Sequence, residues 1–290
     1  MAIRTDPNER REASLRPAAR ADLVHETRKA IKRMRALARL LRYELGEEEF
    51  KRVNSSLREA GGRLSSTRDA EVRLATLRQL RAHHPKALAT EELNRLERRL
   101  ELERERANAP AAAHEVLADI ADMRGDLARW NSVDHELEML APGLERIYRE
   151  GRRRYSRVKD EHGSDPEHVH DWRKRVKSLY YALDMLGAKD ATNAHPAAHS
   201  GARRATRRPT RRADRLGDLL GEEHDLWMFL AYVERHADVL AGDSTALAKL
   251  VKLTERRRKR LRKRALQLGG RLYERKPVDF TRRVARVLSR

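Results

Sequence analysis

The chain has 290 residues, a formal net charge of +20 at pH 7 and no cysteine, which excludes disulfides, iron–sulfur clusters, thiol catalysis and thiolate zinc sites. Aromatic residues make up only 4%, which argues against a large β-sandwich and against stacking of single-stranded bases. No apolar run is long enough for a transmembrane helix, and the N-terminus lacks the apolar stretch of a signal peptide. We therefore expect a cytoplasmic protein, not inserted in the membrane. Its charge indicates a polyanionic partner, either nucleic acid, anionic lipid or a phosphate polymer.

The periodicity of apolar residues predicts helices along nearly the whole chain. Residues 1–18 are polar and carry two prolines, so they are predicted to form a flexible tail. Glycine and proline then divide the chain into predicted helices at 20–45, 47–61, 66–83, 90–107, 111–129, 133–161, 166–187, 205–220, 223–239, 244–268 and 277–289. The segment 188–210, rich in Arg, Ala and Pro, is predicted to be a surface loop. Because no segment alternates with a period of two, the predicted fold class is all-α.

Two pairs of motifs indicate an internal duplication. VHETRKAIKRMRAL (24–37) and VHDWRKRVKSLYYA (169–182) align with an offset of 145 residues, which pairs His25 with His170. LSSTRDAEV (64–72) and LGEEHDLWM (220–228) align with an offset of 156, which pairs Asp69 with Asp225. We predict two related halves, residues 20–145 and 146–290, each packed as a helical bundle.

Each copy of the first motif places cations on one helical face, opposite the apolar face. In the first copy these residues are His25, Arg28, Lys29 and Lys32, extended by Arg35 and Arg39. In the second copy they are His170, Arg173, Lys174 and Lys177. A solvated helix face usually mixes both signs of charge at i,i+4 spacing. A nearly pure cationic stripe that occurs twice therefore indicates an anion-binding site.

Further basic segments and two aspartates complete the set of candidates. RIYREGRRRYSR (146–157) contains Arg152 and Arg153, and residues 251–290 hold 16 Lys/Arg against 3 Asp/Glu. Within that last segment, Arg256, Arg260 and Lys263 form a stripe that could be solvated, bind nucleic acid or line the anion site. Asp69 and Asp225 are read as capping or orienting groups in preference to catalytic carboxylates. No His, Asp or Glu follows His25 at i+3 or i+4, and we predict no metal site and no cofactor.

The duplicated H-x-x-R-K-x-x-K helix in an all-α chain of this size resembles the CHAD domain, the conserved histidine α-helical domain. The resemblance implies two pseudo-symmetric four-helix bundles and a central basic cavity that binds inorganic polyphosphate without catalysis, in association with polyphosphate granules. In this family the His, Arg and Lys of the first helix of each bundle line the cavity. The corresponding positions here are those of the two cationic stripes, His25, Arg28, Lys29, Lys32, His170, Arg173, Lys174 and Lys177.

The predicted polyphosphate site also takes in the flanking basic residues Arg35, Arg39, Arg152, Arg153, Arg256, Arg260 and Lys263. The alternative is a basic helical protein that binds nucleic acid non-specifically, as the net charge alone would favour. A third hypothesis, a phosphohydrolase that uses Asp69 or Asp225 with a divalent metal, ranks last because no nucleophile motif or metal-ligand set accompanies them.

Overall fold

The computed structural model describes residues 17–107, 116, 137–163, 165–189, 196–236 and 244–288, and all regular structure within these ranges is helical. The helices are α1 (Pro17–Leu40), α2 (Arg42–Arg63), α3 (Ser65–His83), α4 (Glu91–Ala107), α5 (Leu137–Asp160), α6 (Pro166–Lys189), α7 (Pro196–Arg235), α8 (Ser244–Leu272) and α9 (Pro277–Leu288). The all-α prediction is confirmed for this part of the chain. None of the described helices is both long and apolar enough to cross a lipid bilayer.

Most predicted boundaries lie within a few residues of the observed ones. The break predicted at Gly46 is real, because its φ of +75° and ψ of 166° interrupt the helical geometry inside α2. Residues 1–16 of the predicted tail (1–18) and the predicted helix at 111–129, apart from the helical residue 116, lie outside the described residues. Residues 17 and 18, predicted to belong to the tail, instead begin α1. The predicted division between halves at 145/146 falls inside α5, which continues across it.

The prediction of a surface loop at 188–210, followed by separate helices at 205–220 and 223–239, is wrong. From residue 196 this region belongs to one continuous helix, α7, which runs through Pro209. Arg and Ala are strong helix formers, and the burial of Ala213, Leu216 and Leu220 stabilises α7 beyond the proline.

Three clusters of buried apolar side chains hold the helices together. One joins α5, α6 and α9 with parts of α1, α7 and α8 around Trp172 and Tyr148. A second joins α3 and α4 to α7 and α8, with Leu77 and Phe229 fully buried. A third packs α1 on α2 around Leu57. Because the second cluster mixes residues from both predicted halves, it fixes α3 against α7 and thereby positions the walls of the site described next.

Two glycines of α7 lie beside side chains of α6, and at Gly217 the absence of a Cβ atom allows the close approach. A Cβ atom added at Gly217 would lie 2.6 Å from Cε of Lys177, and one added at Gly221 would lie 3.7 Å from Nε of Arg173. The side chains of these two α6 cations therefore lie along the surface of α7. Gly221 lies within the continuous helix α7, where the prediction had left a gap between two helices at 221–222.

Candidate anion-binding site

A cavity of about 540 Å³ lies between the two motif helices, α1 and α6, and the helices α3 and α7. Its cationic lining comes from both motifs: His25, Arg28, Lys29 and Lys32 from α1, and Arg173 and Lys177 from α6. Tyr180 and Tyr181 of α6 also face it. Residues from both stripes, 145 residues apart in sequence, thus line one cavity.

Arg28 has a structural role in this wall as well as a position in the lining. Its Nη1 donates to the backbone oxygen of Leu64 at 2.7 Å and to that of Gly61 at 3.4 Å. These carbonyls lie at the C-terminal end of α2, where the helix has no further intrahelical donors. Arg28 therefore anchors α1 to the end of α2 and also lines the cavity.

A smaller cavity of about 220 Å³ shares Arg28, Lys32, Arg173 and Asp225 with the larger one. It adds further groups from α3, α6 and α7: Asp69, Arg73, His170 and His224. The rings of His170 and His224 stack with centroids 4.1 Å apart. Nδ1 of His170 is buried, and no hydrogen-bond partner for it is present in the part of the chain that the structure describes.

The surroundings of His170 favour its neutral form. Burial, together with the positive charges of Lys174 and Arg173, lowers the pKa of His170 to about 4, and Asp171 opposes this only in part. The stacked pair is therefore held where an added proton would be poorly solvated and would face nearby cations. An anion entering the smaller cavity would reverse this balance and turn the imidazole into a further donor.

The wall of the larger cavity that α7 contributes is acidic. Asp214, Asp218, Glu222 and Asp225 lie on α7 at spacings of four, four and three residues and all line the larger cavity. Nζ of Lys177 lies 3.1 Å from Oδ1 of Asp218 and 3.7 Å from Oδ1 of Asp214. The larger cavity is thus lined by five Lys/Arg and four Asp/Glu, so an anion would compete there with the protein's own carboxylates.

The comparison with known families agrees with the motifs. The family model for the CHAD domain matches residues 8–200, about two thirds of the chain, including both cationic stripes. The chain belongs to the CHAD family. No curated protein and no solved structure matches it.

Two cations of the predicted set, Arg35 and Arg39, lie away from the cavities of this CHAD domain. Both donate to Oδ1 of Asn54 on α2 at 3.3 Å. Burial and the charges of Arg35 and Arg175 lower the pKa of Arg39 to about 10. These arginines form a separate cationic group between α1, α2 and α6, outside the lining of the two cavities.

Other predicted residues lie outside both cavities too. Lys174 is exposed and forms an ion pair with Asp171 at 3.1 Å. Its positive charge nevertheless helps to lower the pKa of His170. Arg152 and Arg153 are exposed on α5, where Nε of Arg152 donates to the backbone oxygen of Tyr273 at 3.3 Å. The α8 residues are exposed as well: Arg256, Arg260 and Lys263.

Sequence reasoning paired Asp69 with Asp225 in the repeat alignment and missed several residues that lie beside them. The two aspartates meet in the lining of the smaller cavity, as the repeat alignment suggested they would share a role. Arg73 could have been found, because it follows Asp69 by four residues on the same helix face. His224 stands opposite Arg68 in the alignment, so it was not part of the shared pattern. Asp214 and Asp218 lie outside every repeated motif, and Glu222 lies in the second copy of the LSSTRDAEV motif, opposite Ser66.

Proposed function

We propose that this CHAD domain binds inorganic polyphosphate, without catalysis, in the two adjoining cavities between α1, α3, α6 and α7. The observation that carries the proposal is that both copies of the H-x-x-R-K-x-x-K motif contribute cations to one hollow. Each phosphate of the polymer carries negative charge and offers oxygen acceptors but no base. A lining of guanidinium and ammonium donors with few aromatic rings suits such a ligand.

The proposed binding residues are those that line the cavities. They are His25, Arg28, Lys29, Lys32, Arg73, His170, Arg173, Lys177 and His224. Arg and Lys supply charge-assisted hydrogen bonds to phosphate oxygens, and Asp69 and Asp225 orient their neighbours. The duplicated motifs support an origin of the chain from two related halves, 20–145 and 146–290, that place equivalent helices, α1 and α6, on the two sides of the bound polymer. We extend the proposal to polyphosphate granules as the place of action.

The proposal is tested by a charge reversal inside the cavity. Lys29→Glu combined with Lys32→Glu places two carboxylates in the lining and should weaken polyphosphate binding at least about 100-fold, because charge-assisted hydrogen bonds contribute about 1.5–3 kcal/mol each. Binding is measured by competition against a labelled long-chain polyphosphate. The same preparations are assayed for release of orthophosphate, and none is expected.

The matched control reverses two exposed lysines elsewhere, Lys51→Glu with Lys86→Glu, and changes the net charge by the same amount. It should retain the affinity to within a fewfold. Equal loss in the control would show that binding depends only on net charge and would contradict the proposed site. Circular dichroism melting curves establish that both variants are folded.

A further inference from the structure

The two sides of α8 differ in how their cations are neutralised. On the side packed against α7, Arg257 pairs with Glu222, and Arg258 donates to Glu223 at 3.1 Å. Arg262 lies 3.5 Å from the same Glu223. Burial raises the pKa of Glu223 although these arginines oppose the shift. The inner side of α8 is therefore a closed network of ion pairs.

The opposite side of α8 has no such partners. Its cations are exposed: Lys249, Lys252, Arg256, Lys259, Arg260, Lys263 and Arg264. Within the described part of the chain, none of these side chains makes an ion pair or a hydrogen bond. Exposed arginines of α3 and α4 behave differently, since Arg78, Arg95 and Arg98 each pair with a glutamate. The outer face of α8 is thus a patch of like charges left without counter-charges from the fold.

The dimensions of this face suit contact with the phosphates of a duplex. At about 100° per residue, Lys252, Arg256, Lys259 and Lys263 fall within an arc of about 60°. With a rise of about 1.5 Å per residue, the stripe from Lys252 to Lys263 is about 16 Å long. That length of duplex nucleic acid carries about five phosphates on each strand. The stripe is therefore long enough to contact more than one phosphate of the duplex.

The composition and exposure of the stripe distinguish it from the cavity and favour contact with phosphates. Its four residues include no aromatic ring to stack a base and no Asn or Gln to pair with a base edge. None of the four lines either cavity. An exposed ridge can lie against a duplex that is far too wide to enter a cavity of about 540 Å³.

We propose that the outer face of α8 binds the backbone of duplex nucleic acid, independently of sequence and at a surface separate from the cavities. The CHAD domain would then carry two polyanion sites, one enclosed and one on an exposed ridge. Because each site is lined by different residues, the two activities can be removed separately.

The test is the binding of a 20-base-pair duplex DNA, followed by fluorescence anisotropy at several salt concentrations. The variant Lys252→Glu, Arg256→Glu, Lys263→Glu should bind the duplex at least about 30-fold more weakly at low salt. Loss of three phosphate contacts should also reduce the slope of log Kd against log salt concentration by about 3.

The matched control carries Lys51→Glu, Lys86→Glu and Lys159→Glu, three exposed positions on other parts of the chain. Its net charge equals that of the α8 variant, and its duplex affinity should change by less than about threefold. An equal loss of affinity in both variants would overturn the proposal, as would wild-type affinity in the α8 variant or a wild-type protein that does not bind the duplex.

Measuring the binding of both ligands to both variants distinguishes the duplex-binding surface from the polyphosphate site. The α8 variant should bind polyphosphate as the wild type does, whereas Lys29→Glu with Lys32→Glu should keep duplex binding. Duplex binding that is lost in the cavity variant, or polyphosphate binding that falls equally in the α8 variant, would overturn the assignment of separate surfaces. Absence of polyphosphate binding in the wild type would refute the proposed function and leave the duplex result to stand by itself.

Discussion

Acidification should destabilise the folded protein through His170 when no anion is bound. The pKa of this histidine is about 4 in the fold, against 6.5 for an unperturbed imidazole. At a pH between these two pKa values, His170 is therefore protonated more often in the unfolded chain than in the folded chain. The stabilising contribution of the neutral imidazole is complete above about pH 6.5 and is lost as the pH falls toward about 4.

The magnitude follows from the two pKa values. Between pH 7.5 and pH 5, protonation of His170 in the unfolded state lowers the free energy of unfolding by about 2 kcal/mol. This reduction levels off near 3 kcal/mol below pH 4. The free energy of unfolding is measured by urea denaturation at pH 7.5 and pH 5.0. The wild type should lose about 2 kcal/mol more between these values than His170→Gln, which has no imidazole to protonate.

His83→Gln serves as the control, because His83 is exposed on α3 and lines neither cavity. It should follow the wild type across the pH range. If His170→Gln loses as much stability on acidification as the wild type, the buried, cation-surrounded environment assigned to His170 is wrong. Bound polyphosphate should reduce the wild-type loss, since an anion beside the ring stabilises its charged form.

Two other substitutions test the acidic wall and the buried ion pairs. Asp218→Asn removes a competing anion 3.1 Å from Lys177 and should strengthen polyphosphate binding severalfold in the competition assay, a gain that should vanish in a Lys177→Met background. A gain that persists there would show that the aspartate acts only by net charge. Glu223→Ala leaves Arg258 buried beside one half-exposed glutamate, and urea denaturation should show a loss of about 3 kcal/mol. A loss below about 1 kcal/mol would contradict the view that buried Arg258 requires the carboxylate of Glu223 as its partner.

The local features of the fold followed from local sequence. The cationic stripes of α1 and α6 could be drawn from helical periodicity, because residues three and four apart share a face in any α-helix. Gly46 was read correctly as a break, since its positive φ is a property of one residue. The gap predicted at 221–222 is absent, because the burial of Leu220 and Leu226 stabilises α7 as one helix across it.

The acidic wall of the cavity could not be predicted in this way. Asp214 and Asp218 belong to no repeat, and they face Lys177 only because α7 packs along α6. A helical wheel gives the direction of each side chain but not the element that lies opposite. The same limit explains why Arg256, although basic and correctly placed on a stripe, lies on an outer surface and not in the cavity.

The most direct measurement is a crystal structure of the CHAD domain with a bound polyphosphate of defined length. The account predicts phosphate oxygens within hydrogen-bond distance of Lys32 and Arg173, with the chain lying between α1 and α6. Phosphates bound along the outer face of α8, with none between α1 and α6, would contradict it.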